Sequence, residues 1–204
     1  MLFRFAYGCI FGWGTFDADP HPGNYLFDRR GARVTFLDFG CVKHLPAPVL
    51  RPWRSFVGAR LRGDRAASRA QALSLGFVDA GPEASVDRVV DALTRLYLPF
   101  RQDAPQRFPS LWSGVSVTDV LGRELAEVRR HLRIPKDLVF VNRTLAGMYM
   151  VLSRLGATAR WGRIAREYVC GDPPSTPLGV AERAWMERRG GKHVTDRRAP
   201  RGGR

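Results

Sequence analysis

Residues Phe16 to Gly40 read FDADPHPGNYLFDRRGARVTFLDFG. Asp19 and Asn24 stand in a D-x-x-x-x-N frame, and the stretch closes on Asp38-Phe39-Gly40. Pro20, Pro22 and Gly23 predict a tight, stiff loop between Asp19 and Asn24, because proline fixes φ and glycine admits the backbone conformations of a sharp reversal. Beyond it, Tyr25, Leu26 and Phe27 are β-formers, Asp28-Arg29-Arg30-Gly31 is a turn sequence, and Val34, Thr35, Phe36 and Leu37 suit a returning strand. The separation of Asn24 from Asp38 is that of a short out-and-back hairpin, which leaves Asp38 at the strand end, at the mouth of any cleft.

A carboxylate, an amide and a second carboxylate are the groups needed where a γ-phosphoryl group is transferred or hydrolysed. Charge develops on the non-bridging phosphoryl oxygens, and hard Mg²⁺ ions held by oxygen ligands neutralise it. Asn24 and Asp38 are the candidate metal ligands and, with the metal, the candidate cofactor-binding residues. Asp19 is the candidate catalytic residue, placed to orient the attacking hydroxyl or water or to accept its proton.

The run Ala18-Asp19-Pro20-His21-Pro22-Gly23-Asn24, followed by Leu37-Asp38-Phe39-Gly40, resembles the UbiB/AarF family of atypical kinase-like proteins, whose hallmark is an A-D-P-H-P-G-N loop before D-F-G. Aminoglycoside and choline phosphotransferases carry a similar loop, but their metal-binding Asp is usually not followed by Phe-Gly. The likeness extends less specifically to Leu132-Arg133-Ile134-Pro135-Lys136-Asp137. The resemblance implies a protein-kinase-like fold, binding of ATP and Mg²⁺, ATPase or small-molecule kinase activity, and a role in isoprenoid quinone biosynthesis or lipid homeostasis at membranes.

Two departures from that pattern stand out. Asp17 occupies the position where the family usually has His, which brings a like charge close to Asp19. The family's K-x-G-Q segment and alanine-rich nucleotide loop have no counterpart in residues 1–16, and Lys43, Lys136 and Lys192 all follow the motif. The expected fold is therefore mainly α with a small β-hairpin, the C-lobe of a protein-kinase-like fold with its N-lobe absent. The kinase-like lobe is placed over residues 1–170, with the catalytic loop at 16–24, the hairpin at 25–37 and D-F-G at 38–40. A Pro/Arg/Gly-rich basic tail, partly disordered, is placed over 171–204.

Downstream of Pro46 the periodicity is helical. Val49, Leu50, Trp53, Phe56, Val57 and Leu61 predict one helix ended by Gly63, and Asp64 caps a second through Leu75. Ser85 is expected to cap a third on Val86, Val89, Val90, Leu93, Leu96, Tyr97 and Phe100, and Gln102 to Ser113 reads as a loop. Thr118 opens a helix on Val120, Leu121, Leu125, Val128 and Leu132. Pro135 starts another on Leu138, Val141, Leu145, Met148, Tyr149, Leu152 and Leu155. Trp161 to Val169 and Val180 to Arg189 read as short helices. These apolar stripes are expected to form core.

With 45% hydrophobic residues in 204, the chain can bury a sizeable core. No uninterrupted apolar run of about 18 residues exists; the longest candidate, 138–155, is broken by Asn142, Arg143 and Arg154. Cys9, Cys41 and Cys170 lack metal-ligand spacing and fit a reducing compartment, and the four histidines form no metal cluster. The net charge is +14, of which residues 181–204 carry eight basic and three acidic side chains. Such a surface attracts anionic partners. No specific nucleic-acid motif is present, so the expected partners are nucleotide and an anionic membrane surface, with a cytoplasmic location peripheral to the membrane. The alternative function is a catalytically inactive, truncated C-lobe acting as a basic membrane- or protein-binding module.

Overall fold

The computed structural model describes residues 1–28, 33–78, 83–95, 97–108, 128 and 130–189. Helix α1 (Leu2–Tyr7) runs without a break into a π-helical segment, Gly8–Trp13, which Gly14 ends in the left-handed conformation at φ +61°. So short a helix is unstable alone. Here Leu2, Phe3, Ala6, Tyr7, Ile10 and Phe11 are all buried, and burial of each large apolar side chain contributes about 1.5–3 kcal/mol.

Two small antiparallel sheets follow, one nested inside the other. Strand β1 (Thr15–Asp17) pairs with β4 (Val42–His44), and the hairpin β2 (Tyr25–Phe27) with β3 (Val34–Phe36) lies between them in sequence. The hairpin register sets Tyr25 opposite Phe36 and Phe27 opposite Val34. Its anticipated turn at residues 28–31 lies largely outside the described residues.

The remainder is mainly helical. Helix α2 (Ala47–Arg62) ends at Gly63, φ +74°, and α3 (Arg65–Ser74) is capped by Asp64, whose Oδ1 accepts the Ala67 N–H at 2.9 Å. Then come α4 (Glu83–Arg95), α5 (Leu98–Arg101), β5 (Gln106–Arg107), α6 (Lys136–Arg154), β6 (Thr158–Ala159), α7 (Trp161–Val169) and α8 (Pro177–Arg188). No helix among the described residues is long and apolar enough to cross a membrane. The three cysteines are free.

An aromatic cluster forms the centre of the core. Phe3 stacks on Tyr7 at 4.2 Å between ring centroids, Phe11 on Trp53 at 4.7 Å, and Phe108 meets Tyr149 and Trp161 at 5.2 and 5.0 Å. The buried hydroxyls of Tyr7 and Tyr149 satisfy one another at 2.7 Å, so α1 and α6 are tied by a polar contact as well as by packing.

Several expectations need correction. Among the described residues there are three two-stranded sheets where one hairpin was expected; β5, which lies inside the stretch read as a loop from Gln102, pairs with β6. Ser85 is the third residue of α4, which begins at Glu83, and the stripe through Phe100 is divided between α4 and α5. Pro99 lies in the first turn of α5, where proline is tolerated, whereas continuation of α4 through it would cost a backbone hydrogen bond. Leu155 follows the last turn of α6 and is exposed. Helix α8 begins at Pro177, three residues before the expected start, with the Thr176 hydroxyl accepting the Gly179 N–H. The helix expected from Thr118 lies almost wholly outside the described residues.

Candidate functional site

The loop from Asp17 to Asn24 is built by short-range hydrogen bonds that its own residue types supply. Ala18 is buried and its N–H donates to the Cys41 carbonyl at 2.9 Å, which extends the β1–β4 pairing by one residue toward D-F-G. Asp17 Oδ1 accepts the Asp19 N–H at 3.0 Å, a side-chain turn that aspartate makes readily. The residue in the family's histidine position thus builds the loop locally. Burial, followed by the charges of Asp19 and Asp38, holds the Asp17 carboxyl above its ordinary value, although the Asp19 N–H opposes the shift.

His21 Nδ1 accepts the Gly23 N–H at 3.1 Å and its carbonyl accepts the Asn24 N–H at 2.9 Å, closing the single 3₁₀ turn Pro22–Asn24. That turn aims the Asn24 amide back across the loop. Asn24 Nδ2 donates to the Asp19 carbonyl and to Asp19 Oδ2, both at 3.2 Å. With the amide nitrogen so engaged, Asn24 Oδ1 is left for a ligand.

Asp38 reaches the same place through the hairpin. The Leu37 N–H donates to the Asn24 carbonyl at 3.0 Å, one step beyond the Tyr25–Phe36 pair, so Asp38 emerges beside Asn24. Asp38 Oδ1 accepts the Gly40 N–H at 2.6 Å. Asp19 and Asn24 are in direct contact, whereas Asp38 lies one residue past the Leu37–Asn24 hydrogen bond, with its carboxylate turned to the Gly40 N–H and its charge acting at Asp17. The Tyr25 phenol is pushed up to about 12 by burial and then by Asp17 and Asp19, so it stays protonated at neutral pH.

The loop rests on α6, and here the structure adds residues that the sequence reading did not select. The Thr144 hydroxyl donates to the Asp17 carbonyl at 3.0 Å. Arg143 Nη2 lies 3.4 Å from Asp19 Oδ1, the oxygen that Asn24 does not contact. A Cβ on Gly147 would stand 2.4 Å from Pro20 Cγ, and the Lys43 ammonium lies 5.1 Å from the Phe140 ring centroid. Phe140, Arg143, Thr144 and Gly147 recur at the spacing of one helix face. This second stripe runs beside the apolar one, and its mixed chemistry gives it no apolar periodicity in the sequence.

The donor set suits a hard divalent cation: a carboxylate at 38 and an amide oxygen at 24, both oxygen ligands. No group of three or more His, Cys, Asp or Glu among the described residues is arranged to hold a metal. A magnesium ion, which keeps several waters and takes phosphate oxygens, needs only one or two protein carboxylates.

Residues 1–71 match the ABC1 atypical kinase-like domain, and the chain is distantly homologous to the COQ8 atypical kinases of the UbiB family. It is 24% identical over 152 residues to the mitochondrial atypical kinase COQ8 of Saccharomyces cerevisiae, covering 73% of this chain and 30% of that one. To the mitochondrial atypical kinase COQ8B of Rattus norvegicus it is 27% identical over 159 residues, covering 77% and 30%. The mitochondrial atypical kinase COQ8 of Schizosaccharomyces pombe is 22% identical over 146 residues, covering 70% and 23%. The chain therefore spans less than a third of the length of these relatives.

Proposed function

We propose that this chain carries the catalytic loop and metal-binding half of an atypical kinase or ATPase that uses Mg-ATP. The observation that carries this reading is the contact of Asn24 with Asp19 at 3.2 Å, made beside the strand pairing that delivers Asp38. Asp19 would orient the attacking hydroxyl or water or take its proton, and the neutral Asn24 amide fixes one of its oxygens without adding charge. Asn24 Oδ1 and Asp38 would hold Mg²⁺, which when bound neutralises charge on the phosphate oxygens. Rigidity of the Pro-Gly loop and its seat on α6 keep the carboxylate in position, which matters because phosphoryl transfer depends chiefly on placement and electrostatics.

By likeness to the UbiB family, the longer reaction would serve isoprenoid quinone biosynthesis. The strongly basic composition fits work beside an anionic membrane surface. A thermal-shift series with ATP, with and without Mg²⁺, on the wild-type chain and on Asp38→Asn tests the site. Ligand at about 100 times its dissociation constant adds about 2.7 kcal/mol to stability. The expected result is a Mg-dependent rise in Tm that the variant loses. A rise of equal size in both proteins would refute the assignment of Asp38, and no rise in a folded wild-type chain would favour a binding module without nucleotide.

A further inference from the structure

Arg143 is fixed to the catalytic loop by its helix and yet loosely engaged. Its neighbours on α6 are anchored: Leu138, Val141 and Met148 are fully buried, Thr144 holds the Asp17 carbonyl, and Gly147 abuts Pro20. The guanidinium itself meets Asp19 through one nitrogen at 3.4 Å, with the Arg143 side chain 59% and that of Asp19 42% exposed. An exposed, single-contact ion pair of this kind contributes about 0–1 kcal/mol and exchanges easily. Arginine carries five donors in a planar fork suited to phosphate oxygens, so most of its hydrogen-bonding capacity is uncommitted in this contact.

The surroundings are anionic. Asp17, Asp19 and Asp38 lie close enough for the last two to perturb the first. An incoming polyphosphate would meet these carboxylates, and a positive group on a rigid helix is what lets it approach Asp19. The guanidinium contacts Asp19 Oδ1, the carboxylate oxygen that Asn24 does not hold.

We propose that Arg143 is a phosphate-binding residue of this site, which gives up its contact with Asp19 for the phosphate oxygens of the bound substrate. This rests on the Mg-nucleotide reading above. The same exchange would release Asp19 Oδ1 to meet the attacking hydroxyl, so that the carboxylate is freed when the phosphate chain is in place. A role confined to neutralising Asp19 makes a different prediction, because it gives no preference for a ligand that carries phosphate.

Calorimetric titration of the full chain with magnesium pyrophosphate, and separately with adenosine, distinguishes these cases in wild type, Arg143→Ala, Arg143→Lys and Asp38→Asn. Far-UV circular dichroism checks folding, and the exposed position of Arg143 spares the core. One charge-assisted contact corresponds to a loss of at least about tenfold in affinity. The expected result is such a loss of pyrophosphate affinity in Arg143→Ala, partial recovery in Arg143→Lys, unchanged adenosine binding, and abolished pyrophosphate binding in Asp38→Asn. Equal pyrophosphate affinity in wild type and Arg143→Ala, with binding still lost in Asp38→Asn, would overturn the role of Arg143 and leave the metal site standing. Absence of pyrophosphate binding in a folded wild-type chain would overturn both.

Discussion

Gly147 of α6 and Pro20 of the 17–24 loop are in direct contact: a Cβ added at Gly147 would stand 2.4 Å from Pro20 Cγ and 3.2 Å from the Pro20 carbonyl oxygen. The loop can therefore approach the helix this closely only because position 147 has no side chain. By helix propensity alone, Gly147→Ala would gain about 1 kcal/mol. The pyrrolidine ring cannot swing aside as a long side chain would, so overpacking costing about 1–3 kcal/mol outweighs that gain. Gly147→Ala is expected to lower Tm and weaken Mg-nucleotide binding together. A variant more stable than wild type would show that the loop does not bear on the helix.

Asp17 and Thr144 hold the other side of the loop. Thr144→Val keeps the shape and leaves the Asp17 carbonyl without its donor, at a cost of about 1–3 kcal/mol. Asp17→Asn retains an oxygen acceptor for the Asp19 N–H and removes a like charge, whereas Asp17→Ala loses the turn. Denaturant titration should rank stability as wild type and Asp17→Asn above Asp17→Ala; an Asn variant as damaged as the Ala variant would mean that the charge itself is needed.

The Arg4–Glu167 pair joins α1 to α7 and to the segment entering α8. Arg4 Nη1 and Nη2 donate to Glu167 at 2.7 and 2.9 Å, both side chains are 6% exposed, and Arg4 Nη2 also donates to the Thr176 hydroxyl. Burial alone would raise the Glu167 carboxyl, but hydrogen bonds from Arg4 and Ser175 hold it below its ordinary value of 4.5. A folded-state value below the unfolded one means that the stabilisation is fully present above 4.5 and is lost as pH falls from there through the folded value. Glu167→Gln should lower stability at neutral pH by about 3 kcal/mol and flatten the acid limb of a plot of stability against pH. An unchanged acid limb would contradict this assignment.

Arg60 is fully buried on α2, its Nη1 donating to the Val90 carbonyl at 2.9 Å and to the Thr94 hydroxyl at 2.5 Å. Its Nε and Nη2 have no hydrogen-bond partner among the described residues, and burial pushes its pKa down to about 10. The guanidinium lies 4.3 Å from the Phe56 ring centroid, which recovers part of the desolvation cost. Replacement of a whole buried ion pair by apolar side chains of similar volume is often neutral or stabilising, and Arg60 bears the desolvation cost of a buried charge without a carboxylate in contact among the described residues. Arg60→Met should therefore equal or exceed wild type in Tm, and a marked fall would show that the guanidinium is better satisfied than this geometry indicates.

Much of the local geometry of the candidate site was legible because it is made over short spans of chain. Asp19, Asn24 and Asp38 are separated by one loop and one hairpin, and the residues that shape them, Pro20, Pro22, Gly23 and the β-formers 25–27 and 34–36, act over a few positions. The helix ends at Gly63 and Asp64 were readable for the same reason. Strands β1 and β4 were not, since three residues each carry too short a pattern and their pairing depends on the hairpin inserted between them. Arg143, Thr144 and Gly147 lie far along the chain from the loop they support. Only packing of α6 against Pro20 shows which of its faces meets the site, and no pattern within the helix names that partner.

Whether Asn24 and Asp38 hold a divalent cation against a nucleotide beside Asp19 is read most directly from the water-proton relaxation of Mn-ATP titrated with this chain. Binding of the Mn-ATP complex to the protein slows its tumbling and enhances relaxation. Enhancement is expected from the wild-type chain, none from Asp38→Asn or Asn24→Ala, and near-normal enhancement from Asp19→Asn, which keeps both proposed metal ligands. Equal enhancement by wild type and Asp38→Asn, or none by a folded wild-type chain, would contradict the assignment of Asn24 and Asp38.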